Sequence, residues 1–265
     1  MKHVLSIQDL SCLGRCSLTV ALPVFSAMGC RCSVLPTAVL STHTAFPAPR
    51  VVPLTEELVP FGDHWRSVGA EFDAISIGYL ADPEQSSRVK QVLEAFPALV
   101  VLDPVMGDHG KLYSRITPAH IAAIVSLAEK ADVIVPNVTE AAALTGLAYR
   151  QRQEESYLRE LGAGLQELGC DPVITGVRRN DDTIGVWGSC KGKEFFLERP
   201  YIGKAFHGTG DLFAAVLTGS LVKGASLEEA AKAAASFVAR CIAETAEVTP
   251  HGVEFEKQLP LLWKE

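Results

Sequence analysis

The sequence predicts an α/β protein with a central, mostly parallel sheet covered by helices on both faces. Short apolar, β-branched runs alternate with segments of helical periodicity along most of the 265 residues. Several of the runs are apolar at nearly every position, which is typical of strands buried on both faces. Strand–helix–strand repeats of this kind form right-handed crossovers between parallel strands.

Six short segments have the composition of buried strands: 3–7, 32–37, 72–79, 99–105, 132–137 and 172–177. Six others have helical periodicity: 17–29, 83–96, 117–131, 153–169, about 210–222 and about 226–245. Thr117 followed by Pro118 is a helix start signal, with threonine as N-cap and proline at the first helical position.

Two sections depart from this alternation. Residues 40–56 contain three prolines and no clean period, so we expect an extended excursion or flap there rather than a core element. Residues 183–188 and 193–200 predict a β-hairpin with its turn at 189–192. With no linker or repeat in the chain, we expect residues 1–265 to form one domain.

Composition excludes several function classes. The net charge is −7 and lysine and arginine do not cluster, which argues against nucleic-acid binding. No run of about 18 apolar residues is present, and the apolar run that opens the chain is too short for a signal-peptide core. A cytoplasmic protein without membrane contact is therefore expected. The seven cysteines include no Cys-x-x-Cys pair, so we interpret them as structural or incidental thiols.

Polar residues follow the predicted strands at the points where a ligand site is expected. Ligands of open α/β sheets bind outside the carboxyl ends of the strands. The residues at or near those ends are Asp9, Thr44, Tyr79, Asp103, Asp108, Asn137, Glu140 and Thr175. Such oxygens suit Mg²⁺ and phosphate groups. Taken singly, Asp103 also fits a strand-ending turn, and Glu140 fits an acid in the first turn of a helix.

Residues 208–211 read Gly-Thr-Gly-Asp and precede an apolar run of helical spacing. Free backbone N–H groups and the helix dipole make such a helix start suitable for an anion. The loop is not a Walker A motif, because no Gly-Lys-Ser/Thr follows the glycines. Small residues also begin helices merely for close packing.

The sequence resembles the pyridoxal kinase branch of the ribokinase-like kinases. Seven segments carry the resemblance, in that family's order: SIQ at 6–8, STHTAF at 41–46, GY at 78–79, LDPVMGD at 102–108, VPNVTEAAALTG at 135–146, ITG at 174–176 and GTGDLFAA at 208–215. The resemblance implies a three-layer ribokinase-like fold. It also implies ATP-dependent phosphorylation of the primary (5′) hydroxyl of pyridoxal, pyridoxamine or pyridoxine.

The resemblance also implies roles for individual residues. Asp211 matches the catalytic base, and the backbone N–H groups of Gly208, Thr209 and Gly210 would form an anion hole for the transferred phosphoryl group. The implied magnesium residues are Asp103, Asp108 and Glu140. The implied ATP contacts are Asp103, Asn137, Thr175, Tyr113, Gly208 and Thr209. The implied contacts to the pyridine ring are His43, Thr44 and Tyr79. Family members are usually homodimers, and some use a monovalent cation.

Asp9 departs from the family, which commonly has serine at this position in contact with the ring substituents. A carboxylate there fits a protonated pyridine nitrogen or the amine of pyridoxamine, so Asp9 is a further candidate substrate contact. The alternative is that Asp9 faces solvent or caps the next segment. His207, before the loop, is interpreted as a loop histidine with its hydrogen bonds satisfied.

Two other functions compete with this interpretation. A hydroxymethylpyrimidine kinase of the same superfamily would keep the loop, the base and the metal acids. The segment 41–46 distinguishes it, since STHTAF resembles the pyridoxal kinase version. A non-catalytic vitamer-binding protein is the alternative from a different class, and it would have no need of Asp211.

Overall fold

A nine-stranded sheet forms the centre of the computed structural model, which describes residues 1–204 and 206–264. The strands of the described residues are β1 His3–Ser11, β2 Arg31–Leu40, β3 Val51–Pro53, β4 Ala74–Ile77, β5 Leu99–Leu102, β6 Gly107–Asp108, β7 Lys111–Leu112, β8 Val133–Ile134, β9 Asp171–Val177, β10 Thr183–Cys190 and β11 Lys193–Pro200. Their order in the main sheet is β11-β10-β9-β8-β5-β4-β1-β2-β3, and β6 and β7 form a separate ribbon.

The six central strands of this sheet, from β2 to β9, are parallel. Antiparallel strands are added only at the edges, where β3 pairs with β2 and the β10–β11 hairpin pairs with β9. The prediction of a mostly parallel sheet is therefore confirmed, and the carboxyl ends of β1, β4, β5, β8 and β9 point the same way.

Helices cover both faces of the sheet, as predicted. They are α1 Leu18–Ala27, α2 Leu58–Ser67, α3 Glu84–Ala95, α4 Pro118–Ala128, α5 Val138–Thr145, α6 Glu155–Gln166, α7 Thr209–Val222 and α8 Leu227–Glu244, with 3₁₀ turns at Thr55–Glu57 and Glu256–Lys264. Helices α2 to α6 contribute to one apolar layer, and α1, α7 and α8 contribute to the other. Alternate residues of β1 belong to opposite layers, with Leu5 and Ile7 in the first and Val4 in the second.

Two helices were not predicted. Helix α2 contains a proline and a glycine, which both have low helix propensity, so the sequence gave no sign of a helix there. It is held instead by packing: Leu58 is buried, and a Cβ at Gly62 would lie 3.2 Å from Val92 of α3. Helix α5 has only eight residues, which is too short for a periodic pattern to emerge.

The irregular part of the predicted flap and the turn of the predicted hairpin are both shorter than expected. Within residues 40–56, the segment Val51–Pro53 is an edge strand of the main sheet, so the irregular part is confined to 41–50. The hairpin turn consists of Lys191 and Gly192 alone, which both have positive φ (49° and 77°). Two central residues with positive φ define a type I′ turn, whose twist matches that of the flanking strands.

No helix in the described part of the chain is long and apolar enough to cross a bilayer. This finding concerns helices only. The expected cytoplasmic location stays a prediction.

We predict that Gly162→Ala destabilises the protein, although alanine is the better helix former. A Cβ at this α6 position would lie 2.2 Å from the buried Trp187 ring. Overpacking of a core costs about 1–3 kcal/mol, more than the helix-propensity gain of up to about 1 kcal/mol. Urea unfolding measures the change. The same substitution in a Trp187→Phe background should cost less, because the smaller ring leaves room. An equal cost in both backgrounds would contradict the packing explanation.

Candidate active site

The N-termini of two helices meet at Asp211. This residue lies in the first turn of α7, whose N-cap is Gly208, and the Leu212 N–H donates to the Gly208 carbonyl. The N–H groups of Thr209 and Gly210, which precede Leu212, have no acceptor within the helix. The second helix, α1, begins at Leu18 with Ser17 as its N-cap. The predicted anion loop is therefore a true helix N-terminus.

Gly208 brings the two helix starts together. Its φ is 84°, and a Cβ there would lie 2.4 Å from the carbonyl oxygen of Arg15. Only glycine permits both this backbone conformation and so close an approach. Arg15 is itself fixed, because its N–H donates to the His251 carbonyl and its Nε lies 2.6 Å from Oε1 of Glu256. The loop before α1 is thereby packed against the start of α7.

The half-buried Asp211 carboxylate is contacted by residues of the α1 start. The Cys16 thiol donates to Oδ2 over 3.4 Å. Burial raises the pKa of Asp211, and the backbone N–H of Ser17 and the Cys16 thiol oppose this rise. Burial and the nearby Asp211 and Asp9 also raise the pKa of Cys16 well above its ordinary value. The thiol thus stays protonated and acts as a donor, while Asp211 is a stronger proton acceptor than an exposed aspartate.

Asp9 is buried at the end of β1 and hydrogen-bonded within the protein. Its Oδ1 accepts a bond of 2.5 Å from Ser17 Oγ, and its Oδ2 accepts one of 2.8 Å from Ser11 Oγ. Burial raises its pKa to about 6, although the two hydroxyls favour the charged form. The alternative in which Asp9 faces solvent is wrong, since the residue is 3% exposed. Its contact with a vitamer ring stays a prediction, and this geometry favours a structural role.

Ser17 has a strained backbone. Its φ of 52° and ψ of −124° match the first central position of a type II′ turn, which is normally glycine. The turn is closed by the Thr19 N–H, which donates to the Cys16 carbonyl over 3.2 Å. A non-glycine residue in such a region costs about 1–3 kcal/mol and persists only where the surrounding structure holds it.

Two further acids, Asp103 and Glu140, lie in the interior below this loop. Glu140 accepts bonds from the N–H groups of Met106 (2.9 Å), Gly107 (3.4 Å) and Asn137 (2.8 Å). Burial nevertheless raises its pKa to about 8. Burial, and then the charges of Glu140 and Asp211, raise the pKa of Asp103 well above its usual range. No donor among the described residues hydrogen-bonds the Asp103 carboxylate.

The three residues predicted to hold Mg²⁺, which are Asp103, Asp108 and Glu140, differ in how free their carboxylates are to bind it. Asp103 has free carboxylate oxygens and faces the anion loop, since a Cβ at Gly210 would lie 3.9 Å from its Oδ2. Glu140 is largely engaged by backbone donors, and Asp108 is exposed on β6 beside His109. Within residues 1–204 and 206–264, no group of three or more histidine, cysteine, aspartate or glutamate side chains is arranged to hold a metal ion. Mg²⁺ usually keeps several waters and takes only one or two carboxylates plus substrate phosphates, so Asp103 alone meets that requirement.

Asn137, one of the predicted nucleotide contacts, is engaged in bonds within the protein. Its Oδ1 accepts from the N–H groups of Thr139 (2.8 Å) and Glu140 (3.1 Å), which caps α5. Its Nδ2 donates to the Gly107 carbonyl over 2.7 Å. Thr175 lies beside it, joined through a parallel bridge between β9 and Asn137. Direct contacts of these side chains with phosphate stay a prediction.

Tyr113 follows the β6–β7 ribbon and is partly exposed. Burial of its hydroxyl, followed by the charges of Glu140, Asp108, Cys16 and Asp103, raises its pKa. The tyrosine is thus within electrostatic reach of the same acids that surround the anion loop, and its contact with phosphate stays a prediction.

Of the predicted ring-binding residues, His43 lies close to His207, which precedes α7. His43 is buried, and its ring lies 5.3 Å from that of His207 and 5.2 Å from that of Phe46. Its Nδ1 accepts from the Ala45 N–H. Burial lowers the pKa of the His43 ring, and the backbone carbonyl of Pro250 opposes this fall. Thr44 is exposed at the surface of the flap.

Sequence reasoning missed three residues of the site. Cys16 and Ser17 contact the acids from the start of α1, but neither a thiol contact nor a positive φ at serine has a sequence signal. Burial raises the pKa of the Tyr79 phenol, and the nearby Arg115 guanidinium opposes this rise. Arg115 follows the β6–β7 ribbon, whose two-residue strands are too short to be predicted.

Comparison with known proteins places these features in a family. The sequence profile of the phosphomethylpyrimidine kinase family matches residues 20–255. The pyridoxine/pyridoxal/pyridoxamine kinase of Bordetella bronchiseptica is 30% identical over 257 residues, covering 92% of this chain and 89% of that protein. The hydroxymethylpyrimidine/phosphomethylpyrimidine kinase of Haemophilus influenzae is 33% identical over 173 residues, covering 63% of each.

Solved structures agree with this assignment. Pyridoxal kinase from Lactobacillus plantarum has a TM-score of 0.92 and 33% identity, covering 100% of this chain and 97% of that one. A pyridoxal kinase from Leishmania donovani, solved with ADP and pyridoxamine, is 23% identical with a TM-score of 0.88 and shares the fold. The chain is a kinase, and it belongs to the phosphomethylpyrimidine kinase family, within the pyridoxal kinase branch of the ribokinase-like superfamily.

Proposed function

We propose that this chain transfers the γ-phosphoryl group of ATP to the 5′ hydroxyl of pyridoxal, pyridoxamine or pyridoxine. One observation carries the proposal. The Asp211 carboxylate lies in the first turn of a helix whose free N–H groups, those of Thr209 and Gly210, face the same site. A base and an anion hole side by side are what phosphoryl transfer to an alcohol requires.

Asp211 is the proposed general base. A primary alcohol is a poor nucleophile until a base within hydrogen-bond reach accepts its proton. Burial raises the pKa of this carboxyl, which makes it a better proton acceptor, while the Cys16 thiol and the Ser17 N–H keep it ionised. The N–H groups at the start of α7 then stabilise the charge that develops on the transferred phosphoryl group.

Asp103 supplies the carboxylate for a magnesium ion, with Asp108, Glu140 and the monovalent cation of some relatives as further predictions. When bound, Mg²⁺ neutralises charge on the phosphates during transfer. Asp103 fits this role because it is buried, lies opposite Gly210 and has no hydrogen-bond donor among the described residues. A buried carboxylate of this kind is costly unless a cation balances it.

The flap supplies the pocket for the vitamer ring. His43 is buried beside His207, and Thr44 and Tyr79 belong to the segments 41–46 and 78–79 that resemble pyridoxal kinases. A proline-containing segment of this kind suits closure over a substrate and exclusion of water, which prevents hydrolysis of ATP. A homodimer, as is usual in the family, stays a prediction.

Hydroxymethylpyrimidine phosphorylation is the second candidate. It is favoured by the match to the phosphomethylpyrimidine kinase family and by the Haemophilus influenzae relative. That relative covers a smaller share of the chain than the Bordetella bronchiseptica vitamer kinase does, so the pyridoxal-type reaction is preferred.

Purified protein with MgATP should phosphorylate at least one of pyridoxal, pyridoxine and pyridoxamine with a higher kcat/KM than hydroxymethylpyrimidine. ADP release and mass spectrometry of the product measure both activities. Turnover of hydroxymethylpyrimidine alone would support the second candidate. No turnover of any pyridoxal-type vitamer would overturn the main proposal.

We predict that Asp211→Asn lowers kcat by about 10²–10⁴-fold, because the amide cannot accept the proton of the alcohol. ATP affinity, measured by calorimetry, should change little, since asparagine has nearly the same shape. Asp63→Asn, at an exposed carboxylate of α2, is the control and should leave both quantities unchanged. Equal losses of ATP affinity and kcat in Asp211→Asn would indicate a structural role for this residue instead.

His43→Gln should raise the KM for the vitamer while leaving the KM for ATP within about twofold, because ring contacts do not extend to the nucleotide. His64→Gln, at an exposed α2 histidine, is the matched control. Steady-state kinetics with both substrates varied provide the measurement. An unchanged vitamer KM would remove His43 from the ring pocket.

A further inference from the structure

We propose that Ser17 is a positioning residue that holds the start of α1 against Asp211, and that Asp9 acts through Ser17. The inference rests on the proposed function, since it concerns the geometry of the proposed base. It assigns to Asp9 a role other than vitamer recognition. Three observations carry it: a strained backbone, a buried bond that holds the strain, and contacts from the strained segment to Asp211.

The strain lies at Ser17 itself. Its φ of 52° and ψ of −124° are a glycine conformation occupied by a buried serine. Nothing in the local sequence requires this conformation, since the hydroxyl of Ser17 makes no cap bond to α1. Strain of this kind is retained only where surrounding contacts determine it.

The surrounding contact is the bond from Ser17 Oγ to Asp9 Oδ1, at 2.5 Å. Asp9 is a firm anchor because it belongs to β1, which pairs with β2 on one side and β4 on the other. Ser11 fixes the second oxygen of the same carboxylate. The carboxylate therefore pulls the Ser17 side chain toward the sheet and holds its backbone in the unfavourable region.

The strained conformation directs donors at Asp211. The peptide between Cys16 and Ser17 carries the N–H that favours the ionised Asp211, and the Cys16 thiol lies 3.4 Å from Oδ2. Relaxation of φ at Ser17 to a negative value would rotate this peptide and carry the thiol with it. Displacement of a reacting group by about 1 Å can cost on the order of 100-fold in rate.

The charged and titratable groups around Asp211 are Asp9 from β1, Cys16 from the loop before α1, and Asp103 after β5. All three are buried or half-buried, and two are acids that repel the Asp211 charge. Donors from the Cys16–Ser17 segment are thus the contacts that hold the carboxylate in place against this repulsion.

Ser17→Ala and Ser17→Gly separate the hydroxyl from the backbone. Alanine removes the bond to Asp9 and keeps the steric penalty at positive φ, so kcat should fall about 10- to 100-fold with the KM for ATP within about twofold. Glycine also lacks the hydroxyl but adopts this conformation without penalty, so Ser17→Gly should retain clearly more activity than Ser17→Ala. Equal kcat in Ser17→Ala and wild type, or lower kcat in the glycine variant, would overturn the proposal.

Asp9 variants test the anchor. Asn can accept the Ser17 bond through its Oδ1, so Asp9→Asn should stay near wild-type kcat, whereas Asp9→Ala should resemble Ser17→Ala. The double variant Asp9→Ala/Ser17→Ala should be no slower than either single variant, because both remove one bond. The ratio of kcat/KM for pyridoxamine and pyridoxal should not change. A changed ratio in Asp9→Asn would instead assign Asp9 to vitamer recognition. Additive losses in the double variant would show that Asp9 and Ser17 act independently, and either result would overturn the proposal.

Matched controls come from elsewhere in the chain. Lys191→Ala changes an exposed residue that also has positive φ, and Ser220→Ala removes a buried hydroxyl that donates to a helix carbonyl. Both should keep wild-type kcat, and circular dichroism should show every variant to be folded. Failure of the proposed function is recognised separately, because the wild-type protein would then have no vitamer kinase activity. Active wild type, inactive Asp211→Asn and unchanged Ser17→Ala would overturn this inference alone.

Discussion

The close approach of Gly208 to the Arg15 carbonyl is the contact on which the site depends. It places the start of α7 against the loop before α1, so that two helix N-termini converge on one carboxylate. Any side chain at Gly208 would separate them, because its Cβ would overlap the carbonyl oxygen. The pairs Arg15–Glu256 and Arg15–His251 then tie this loop to the end of the chain. The site is thus assembled from segments more than 190 residues apart in sequence.

The second constraint is the energetic cost of burying four acidic side chains. The fold offsets this cost with different hydrogen-bond donors for three of the four acids. Asp9 is satisfied by two hydroxyls, and Glu140 by three backbone N–H groups. Asp211 has a thiol and the N–H groups at helix starts, whereas Asp103 has no donor among the described residues. The acid least satisfied by the protein is therefore the one that faces the anion loop, where a nucleotide would bring its own cation.

Much of this arrangement could be predicted from the sequence, because parallel strands place their carboxyl ends at one edge. The alternation of strands and helices located the sheet, and the Gly-Thr-Gly-Asp segment located the start of α7. Asn137 and Glu140 were predicted to lie in the site, yet their bonds form a helix cap that spacing alone does not distinguish from a phosphate contact. Ser17 was placed at the start of a helix, but its positive φ depends on Asp9, a tertiary contact that no local pattern encodes.

Asp9 connects the central sheet to the start of α1. Its carboxylate accepts bonds from Ser11 and Ser17, and its burial raises its pKa to about 6. In our proposal, the bond from the Ser17 hydroxyl to Asp9 offsets the backbone strain at Ser17. Ser17 is adjacent in sequence to Cys16, whose thiol contacts Asp211, so Asp9 couples the sheet to the proposed base through the Ser17 side chain.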